Sequence, residues 1–180
     1  IIRRRGFMLI LSSPSGAGKS TLTKHLLDDD ALNLDLSISV TTRTRRSSEV
    51  EGKHYFFRSR ADFEKMRVAN DLLEWAEVHG NYYGTPRARV DAVLASGRDM
   101  IFDIDYQGTQ QVLQRARKDA VTIFILPPSM RELKARLERR AEDASDVIER
   151  RLEAARAQEI GRWKLYDYVI VNRDVQEALQ

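Results

Sequence analysis

Four short apolar segments predict the strands of a sheet, and the first of them has the pattern of a strand that is buried on both faces. They are Phe7–Leu11, Met100–Asp105 (which ends in acidic residues), Val121–Leu126 and Tyr168–Val171. Uninterrupted apolar strands are typical of parallel sheets, because helices cover both faces of such a sheet. The segments between these strands have the periodicity of amphipathic helices. This alternation predicts an α/β fold, in which a parallel sheet carries helices on both of its faces.

The helices between these strands are predicted from the same pattern. Their ranges are Lys19–Leu27, Gln107–Lys118, Ser129–Arg140 and Ser145–Gly161. Ser129, with Glu132 three residues later, has the pattern of an N-terminal capping box. Thr85 followed by Pro86 predicts a further helix start, with the threonine as the N-cap and the proline in the first turn.

The stretch from residue 35 to residue 90 has a different pattern and predicts a small mixed α/β insertion in the parallel core. Leu36–Thr41 alternates between apolar and polar residues, which is typical of a half-exposed strand. Further short strands are expected at Lys53–Arg58 and Leu72–Val78, on either side of a helix at Ala61–Val68.

The composition indicates one globular domain that is large enough to be stable without a disulfide or a structural metal. The chain has 180 residues, of which 42% are hydrophobic and 32% are charged. The absence of cysteine excludes disulfides, thiol catalysis and cysteine-bound zinc, and is compatible with the cytoplasmic location that we predict. The three histidines lie far apart and predict no metal site.

No apolar run reaches the ~20 residues that span a bilayer and no signal peptide is recognisable, so we expect no membrane partner.

The net positive charge is small, but the basic residues are mostly arginines. The formal net charge is +3, and 23 of the 30 basic residues are arginines. This surplus is compatible with a GC-rich coding sequence, or with a protein that handles phosphates, because the guanidinium fork matches phosphate geometry. The sequence carries no nucleic-acid-binding motif, so we predict no nucleic-acid partner.

The segment after the first apolar strand is a predicted phosphate-binding loop. Residues 13–20 read Ser-Pro-Ser-Gly-Ala-Gly-Lys-Ser, which matches G-x-x-x-x-G-K-[ST] except that Ser13 replaces the first glycine. The backbone amides of such a loop, with the N-terminus of the following helix, bind phosphate groups. Lys19 is expected to reach the β- and γ-phosphates of ATP, and the Ser20 hydroxyl to bind Mg²⁺. The residues predicted to bind ATP in this segment are Ser15, Gly16, Ala17, Gly18, Lys19, Ser20 and Thr21.

Two acidic residues are predicted to complete this site. Asp103 and Asp105 stand at the end of the second apolar strand, and ligands of parallel α/β folds gather at the carboxyl ends of the strands. Either carboxylate is suited to orient hydrated Mg²⁺, and for Asp103 we expect contact through a water molecule. The alternative is that one of them caps the helix that begins near Gln107.

A series of further motifs, in order along the chain, resembles guanylate kinase. They are Thr41–Arg46, Glu49–Phe57, Leu73–Ala76, Gly80–Thr85, Asp103–Gly108 and Pro127–Ser129, followed by an arginine-rich helix and by Tyr168–Asn172. Together with the phosphate loop, they span nearly the whole chain. The resemblance implies an enzyme that transfers phosphate from MgATP to GMP. It also implies a P-loop core (residues 1–34, 91–127 and 161–180), a GMP-binding insertion (35–90) and a helical lid (128–160).

By this resemblance, four side chains hold the phosphate of GMP: Arg43, Arg46, Tyr55 and Tyr83. Their chemistry agrees with this role, because a phosphate dianion suits forked cations and phenolic donors. Arg45 matches no phosphate ligand of the family and is interpreted as a solvated neighbour.

The guanine base of GMP requires a different set of groups. Guanine presents N1–H and N2–H₂ donors beside the O6 acceptor, and one carboxylate accepts from both donors at once. Glu74 is the candidate, with Asp105 assisting it, while the hydroxyls of Ser39 and Thr85 suit O6. A site of this kind rejects the wrong base by ~10⁴ or more, because buried polar groups would be left unpaired. The predicted GMP-binding set is completed by Gly84 and Asp103.

Arginines from the two helices after the third core strand are predicted to be catalytic. In the family this segment is a lid that closes over the phosphates. Arg136, Arg139 and Arg151 match the family positions best, with Arg140 as the alternative to Arg139. Asn172 is predicted to contribute to ATP binding.

The predicted reaction is an in-line transfer to a phosphate oxygen of GMP, which is already anionic and needs no general base. Lys19, Mg²⁺ at Ser20 and the lid arginines would supply positioning and charge.

One alternative is a catalytically inactive guanylate-kinase-like module that binds protein partners, although such modules usually lose the phosphate loop. A second alternative is a kinase for another nucleoside monophosphate, against which Glu74 argues. The sequence leaves open whether the protein is a monomer or a homo-oligomer.

Overall fold

In the computed structural model, which describes residues 4–139 and 145–180, the strands form two sheets. The strands are β1 (Met8–Ser12), β2 (Asp35–Leu36), β3 (Val40–Thr41), β4 (Phe56–Phe57), β5 (Leu72–Val78), β6 (Asn81–Pro86), β7 (Met100–Asp103), β8 (Ala120–Leu126) and β9 (Tyr168–Val171). The five-stranded sheet has the order β2-β7-β1-β8-β9, and the four-stranded sheet has the order β4-β3-β6-β5. β2 pairs with β7, and β8 with β9, in parallel. The predicted α/β class with a parallel sheet is confirmed.

Helices follow most of these strands along the chain. They are α1 (Lys19–Asp28), α2 (Arg60–Val68), α3 (Arg87–Ala95), α4 (Tyr106–Ala116), α5 (Met130–Arg139), α6 (Ser145–Ala154) and α7 (Val175–Ala178). The predicted helix Ser145–Gly161 is α-helical only as far as Ala154, and continues as a π-helical turn and then a 3-10 segment. Among the described residues, no helix has both the length and the apolar character needed to cross a membrane.

The described residues form two compact units. The first comprises residues up to 8, 34–102 and 107–120, and the second comprises residues 9–33, 103–106 and those from 121 onwards. The four-stranded sheet belongs to the first unit. The phosphate loop and the helices α5 and α6 belong to the second. The finer division into core, insertion and lid stays a prediction.

The core of the first unit includes a cluster between α2 and the four-stranded sheet. Phe63 of α2 is fully buried, together with Val40 of β3 and Leu72 of β5. Trp75 and Tyr82 are partly buried and pack against this cluster. The cluster therefore supports the sheet that carries Glu74 and, on β6, Tyr83, Gly84 and Thr85.

In the second unit, α5 and α6 pack together through one apolar face each. Leu133 and Leu137 of α5 meet Ile148 and Leu152 of α6 in one buried cluster. In each helix the two residues are four positions apart, which places them on the same face. This packing orients the helices that carry the predicted catalytic arginines.

The prediction of a single strand at Leu36–Thr41 is wrong. Leu36 pairs with Ile101 of β7, whereas Val40 pairs with Gly84 of β6. The two ends of the segment therefore belong to different sheets. Alternation of apolar and polar residues predicts which side chains are buried, but it does not identify the partner strand.

The predicted N-cap at Thr85 is also wrong. Thr85 lies in β6, a strand that the sequence pattern does not predict, and Pro86 is the N-cap of α3. The Thr85 hydroxyl donates a hydrogen bond to Glu74 instead of accepting one from the first turn of the helix. The pairing of β6 with β5 sets Thr85 opposite Glu74, so the strand register and not the start of the helix places its side chain.

The predicted capping box at the start of α5 is half formed. The Ser129 hydroxyl accepts a hydrogen bond from the Glu132 amide at 3.1 Å. The Glu132 carboxylate does not return this bond, but contacts Arg136 and Arg139. Glu132 is therefore a charge partner of two predicted catalytic residues.

We expect replacement of Phe63 by alanine to lower the free energy of unfolding by about 3–5 kcal/mol, because it removes a fully buried ring. Urea unfolding followed by tryptophan fluorescence, to which Trp75 of the same cluster contributes, measures the change. Val68→Ala on the same helix is the control, because Val68 is 76% exposed. Equal effects of the two substitutions would contradict the described packing of α2.

Candidate active site

The phosphate loop connects β1 to α1, and its glycines are required at two positions. Gly16 and Gly18 have φ angles of +87° and +99°, which residues with a side chain rarely adopt. A Cβ atom at Gly18 would overlap Asn172 Nδ2, and one at Gly16 would lie 2.8 Å from Leu137 Cδ2. Backbone conformation and packing therefore both select glycine at these positions.

The Ala17 carbonyl oxygen in this loop accepts hydrogen bonds from two distant parts of the chain. Asn172 Nδ2 donates to it at 2.9 Å, and Arg136 Nη1 donates to it at 3.3 Å. Arg136 Nη2 also donates to the Asn172 carbonyl at 2.9 Å. Each of the three residues is therefore hydrogen-bonded to the other two. Ala17 and Asn172 are 0% and 2% exposed. These bonds hold the loop in one conformation.

Lys19, Ser20 and Asp103 meet at a cavity beside the loop. Lys19 forms an ion pair with Asp103. The cavity has a volume of about 310 Å³ and is lined by Ser13, Pro14, Ser15, Gly16, Gly18, Lys19, Ser20 and Asp103. Asp105, two residues after Asp103, is exposed. The structure thus brings the loop together with Asp103.

The oxygen ligands at this cavity suit a Mg²⁺ ion that binds together with a nucleotide. Within residues 4–139 and 145–180, no group of three or more His, Cys, Asp and Glu side chains is arranged to hold a metal by itself. The Ser20 hydroxyl and the Asp103 carboxylate supply hard oxygen atoms beside the loop. Mg²⁺ is commonly bound through one or two protein ligands, with phosphates and waters completing its coordination.

A second cavity, of about 410 Å³, shares Gly16 and Gly18 with the first. Its other lining residues are Thr21, Glu132, Arg136, Arg139, Asn172, Arg173, Asp174 and Val175. Asn172 is predicted at the nucleotide site from the sequence, whereas residues 173–175 are not. Their position directly after the last core strand was the available signal, because ligands gather at this end of parallel strands.

Two of the predicted catalytic arginines share one carboxylate. Arg136 Nε and Arg139 Nη2 donate to Glu132 Oε1 at 3.0 Å and 2.8 Å. The hydrogen bond from Arg136, and then that from Arg139, lowers the pKa of Glu132. Arg136 is largely buried and Arg139 is exposed. Glu132 therefore orients both guanidinium groups at the second cavity.

Arg151 contacts the phosphate loop from α6. Its Nη1 donates to the Ser15 hydroxyl at 3.3 Å. Arg136, Arg139 and Arg151 thus all lie at the loop or at a cavity beside it. Arg140, the alternative to Arg139, lies outside the described residues.

In the first unit, Arg43 is held by Glu49. Arg43 Nη1 and Nη2 donate to the two Glu49 oxygens at 3.1 Å and 2.6 Å, and the Arg46 amide donates to the same carboxylate at 2.8 Å. The bond from Arg43, supported by the Arg46 amide, lowers the pKa of Glu49 to about 2. Arg45, interpreted from the sequence as solvated, donates to the Glu49 carbonyl at 3.2 Å. The sequence predicts no role for Glu49, although an acid in a loop of three arginines was a usable signal.

Tyr55 and Tyr83 lie beside Arg43. The Arg43 guanidinium carbon is 5.4 Å from the centre of the Tyr55 ring, and the two tyrosine rings meet edge to face at 6.0 Å. The bond to Glu49, and then a hydrogen bond with Tyr83, raises the pKa of Arg43. The side chain of Arg46 is exposed. Three of the four predicted phosphate ligands are therefore in one cluster, and Arg46 joins it through its backbone.

Glu74 and Thr85 are paired across β5 and β6. Thr85 Oγ1 donates to Glu74 Oε1 at 2.7 Å, and the two residues are 0% and 5% exposed. A hydroxyl has one proton, so the Thr85 hydroxyl has to rotate away from Glu74 before it can donate to any other acceptor. Ser39 is half-buried just before β3. Gly84 leaves room for the neighbouring strand, because a Cβ atom there would lie 3.0 Å from the Glu74 carbonyl oxygen.

A glycine-rich loop between a buried strand and a helix defines a P-loop protein of the α/β class. The family model for guanylate kinase matches residues 5–180, and the chain belongs to this family. It is 63% identical over 177 residues to a guanylate kinase of Mesorhizobium japonicum, covering 98% of this chain and 80% of that protein. It is 60% identical over 179 residues to a guanylate kinase of Agrobacterium fabrum, covering 99% of this chain and 80% of that protein.

A solved structure shows the same fold. The crystal structure of guanylate kinase from Anaplasma phagocytophilum superposes with a TM-score of 0.78 at 38% sequence identity, and the match covers 99% of this chain and 83% of that one. The resemblance inferred from the sequence motifs is therefore confirmed.

The low pKa of Glu49 predicts a loss of stability in acid. Its pKa falls from an ordinary 4.5 to about 2 in the folded protein, so its contribution is fully present above pH 4.5 and disappears as the pH falls towards 2. We expect Glu49→Gln to flatten the decline in unfolding free energy between pH 5 and pH 3, measured by urea unfolding. Glu77→Gln, at an exposed position of β5, is the control. An unchanged slope in Glu49→Gln would contradict the assignment.

Proposed function

We propose that this chain transfers the γ-phosphoryl group of ATP to GMP, giving ADP and GDP. The chain is a kinase of the guanylate kinase family. The acceptor is assigned from the buried Glu74 carboxylate, in a chain whose phosphate loop keeps Gly18, Lys19 and Ser20. The substrates are both small molecules, no nucleic acid or membrane is involved, and the proposed location is the cytoplasm.

On the donor side, the loop from Ser15 to Thr21 binds the ATP phosphates through its amides and the N-terminus of α1. Lys19 neutralises the β- and γ-phosphates, which requires it to exchange its contact with Asp103 for the nucleotide. Asn172 and the residues after it contact the rest of ATP at the second cavity. Ser20, and Asp103 through water, would hold Mg²⁺, which when bound would supply neutralisation of the phosphate charge.

On the acceptor side, Arg43, Tyr55 and Tyr83 bind the GMP phosphate, and the exposed Arg46 side chain joins them. Glu74 accepts the N1–H and N2–H₂ groups of guanine. The remaining proposed contacts to GMP are those of Ser39, Gly84, Thr85, Asp103 and Asp105.

In the reaction, a GMP phosphate oxygen forms a bond to the γ-phosphorus while the bond from that phosphorus to the β–γ bridging oxygen breaks. ADP leaves with the bridging oxygen and its electron pair. The nucleophile is anionic, so no side chain has to remove a proton. Lys19, Arg136, Arg139 and Arg151 stabilise the charge on the transferring group, and this stabilisation is the main contribution of the protein.

Lys19→Met tests the donor site. We expect GMP-dependent ADP formation to fall by at least a factor of 10³, because a charge at the transferring phosphate is lost. The thermal midpoint should stay close to that of the wild type. Lys24→Met, at an exposed position of the same helix, should retain activity. ADP formation by Lys19→Met at the wild-type rate would refute the proposed role.

Glu74→Gln tests the acceptor site. An amide presents a donor where guanine also presents donors, so we expect kcat/KM for GMP to fall about a hundredfold. The coupled assay is run with GMP, AMP, CMP and UMP in turn, and Glu77→Gln is the matched control on β5. Equal wild-type rates with GMP and AMP would rule out the proposed guanine site.

A further inference from the structure

Strand β5, which carries Glu74, is an edge strand of the four-stranded sheet. Its partner on one side is β6, and the pairing between them is irregular between Leu72 and Glu74. Leu72 lies opposite Pro86, which has no N–H group to donate to the ladder. The backbone just before Glu74 is therefore weakly held by its own sheet.

Helix α4 contacts the other edge of β5 through Gln111. Gln111 Oε1 accepts a hydrogen bond from the Trp75 amide at 3.0 Å, and Gln111 Nε2 donates to the Trp75 carbonyl at 2.6 Å. The primary amide thus makes the two bonds that a residue of a neighbouring strand would make. Trp75 directly follows Glu74 in the chain.

Arg115 contacts β5 on the other side of Glu74. Its Nη1 donates to the carbonyl oxygens of Leu72 and Leu73, at 2.9 Å each. Gln111 and Arg115 are four residues apart on α4, so they lie on the same face of the helix. Together they fix the backbone before and after Glu74, at the place where the pairing with β6 is interrupted.

We infer that Gln111 and Arg115 are positioning residues that hold Glu74 in place and thereby set the base specificity of the GMP site. The inference rests on the proposed function of Glu74. A carboxylate that accepts from two guanine donors has to be placed within about 0.5 Å, and side-chain packing alone does not fix the strand that carries it. The described hydrogen bonds of both side chains go to the β5 backbone, so the proposed effect on the base is transmitted through the strand.

The test compares Gln111→Met and Arg115→Met, which keep the approximate length of each side chain but remove its hydrogen bonds. We expect KM for GMP to rise about tenfold and the preference for GMP over AMP to fall by a similar factor, since each variant removes two hydrogen bonds to the β5 backbone. KM for ATP should stay within about twofold, because the donor site does not depend on β5. Gln114→Met, at an exposed position of α4, is the matched control and should leave all of these values unchanged.

Two further variants separate positioning from a general loss of stability. Arg115→Lys keeps a cation that reaches the same carbonyls, and should retain most of the GMP preference even if Arg115→Met folds poorly. In a Glu74→Gln background, Gln111→Met should change KM for GMP by less than about twofold, because the group it positions is already altered.

The inference is overturned if Gln111→Met and Arg115→Met raise the KM values for ATP and GMP equally. It is also overturned if they lower the thermal midpoint while the GMP preference of the folded enzyme stays unchanged. A wild-type chain without GMP-dependent ADP formation would instead refute the proposed function, so the two failures are distinguishable.

Discussion

The Ala17 carbonyl oxygen accepts hydrogen bonds from Asn172 and Arg136, and through them two distant parts of the chain are tied to the phosphate loop. A loop that binds phosphate through its amides has to hold those amides in one orientation, because a mobile loop would lose conformational entropy on binding. Gly16 and Gly18 permit the required backbone, but glycine alone makes a loop more flexible. The hydrogen bonds to Ala17 restrict the conformation of the loop and so offset the flexibility that the glycines add.

Several predicted phosphate ligands are paired with carboxylates in the structure. Lys19 pairs with Asp103, Arg43 with Glu49, and Arg136 with Glu132. Each carboxylate limits the rotamers of a long cation, so less side-chain entropy remains to be lost when a phosphate binds. A phosphate dianion carries more charge than a carboxylate, and it therefore competes well for the same guanidinium or ammonium group. The binding free energy of the phosphate is therefore a difference. It is the free energy of the cation paired with phosphate minus that of the cation paired with its carboxylate.

The function of a segment was predictable from the sequence where it depends only on residues that are close together in the chain. The phosphate loop lies within one short segment, and its position between β1 and α1 follows from the apolar run before it. The catalytic class was predictable because several motifs occur in order along the chain.

Contacts between distant residues were not predictable in the same way. Leu36 and Val40 share one alternating pattern but pair with different sheets, because alternation encodes a buried face and not a partner. The sequence around Thr85 and Gln111 does not indicate which residues of β5 they contact. Their roles depend on Glu74 and Trp75, which only the folded sheet brings to them.

The distance along the chain between Ala17 and Asn172, 155 residues, has a consequence for biosynthesis. The ribosome adds the loop first, and its side-chain partner follows only after the strands and helices between them have been made. Contacts of such large sequence separation form late and slow folding. At about 5–20 residues per second, translation leaves the loop without this restraint for roughly 8–30 seconds. A nascent chain that already contains the complete phosphate-binding motif therefore cannot yet hold a nucleotide in the manner of the finished protein.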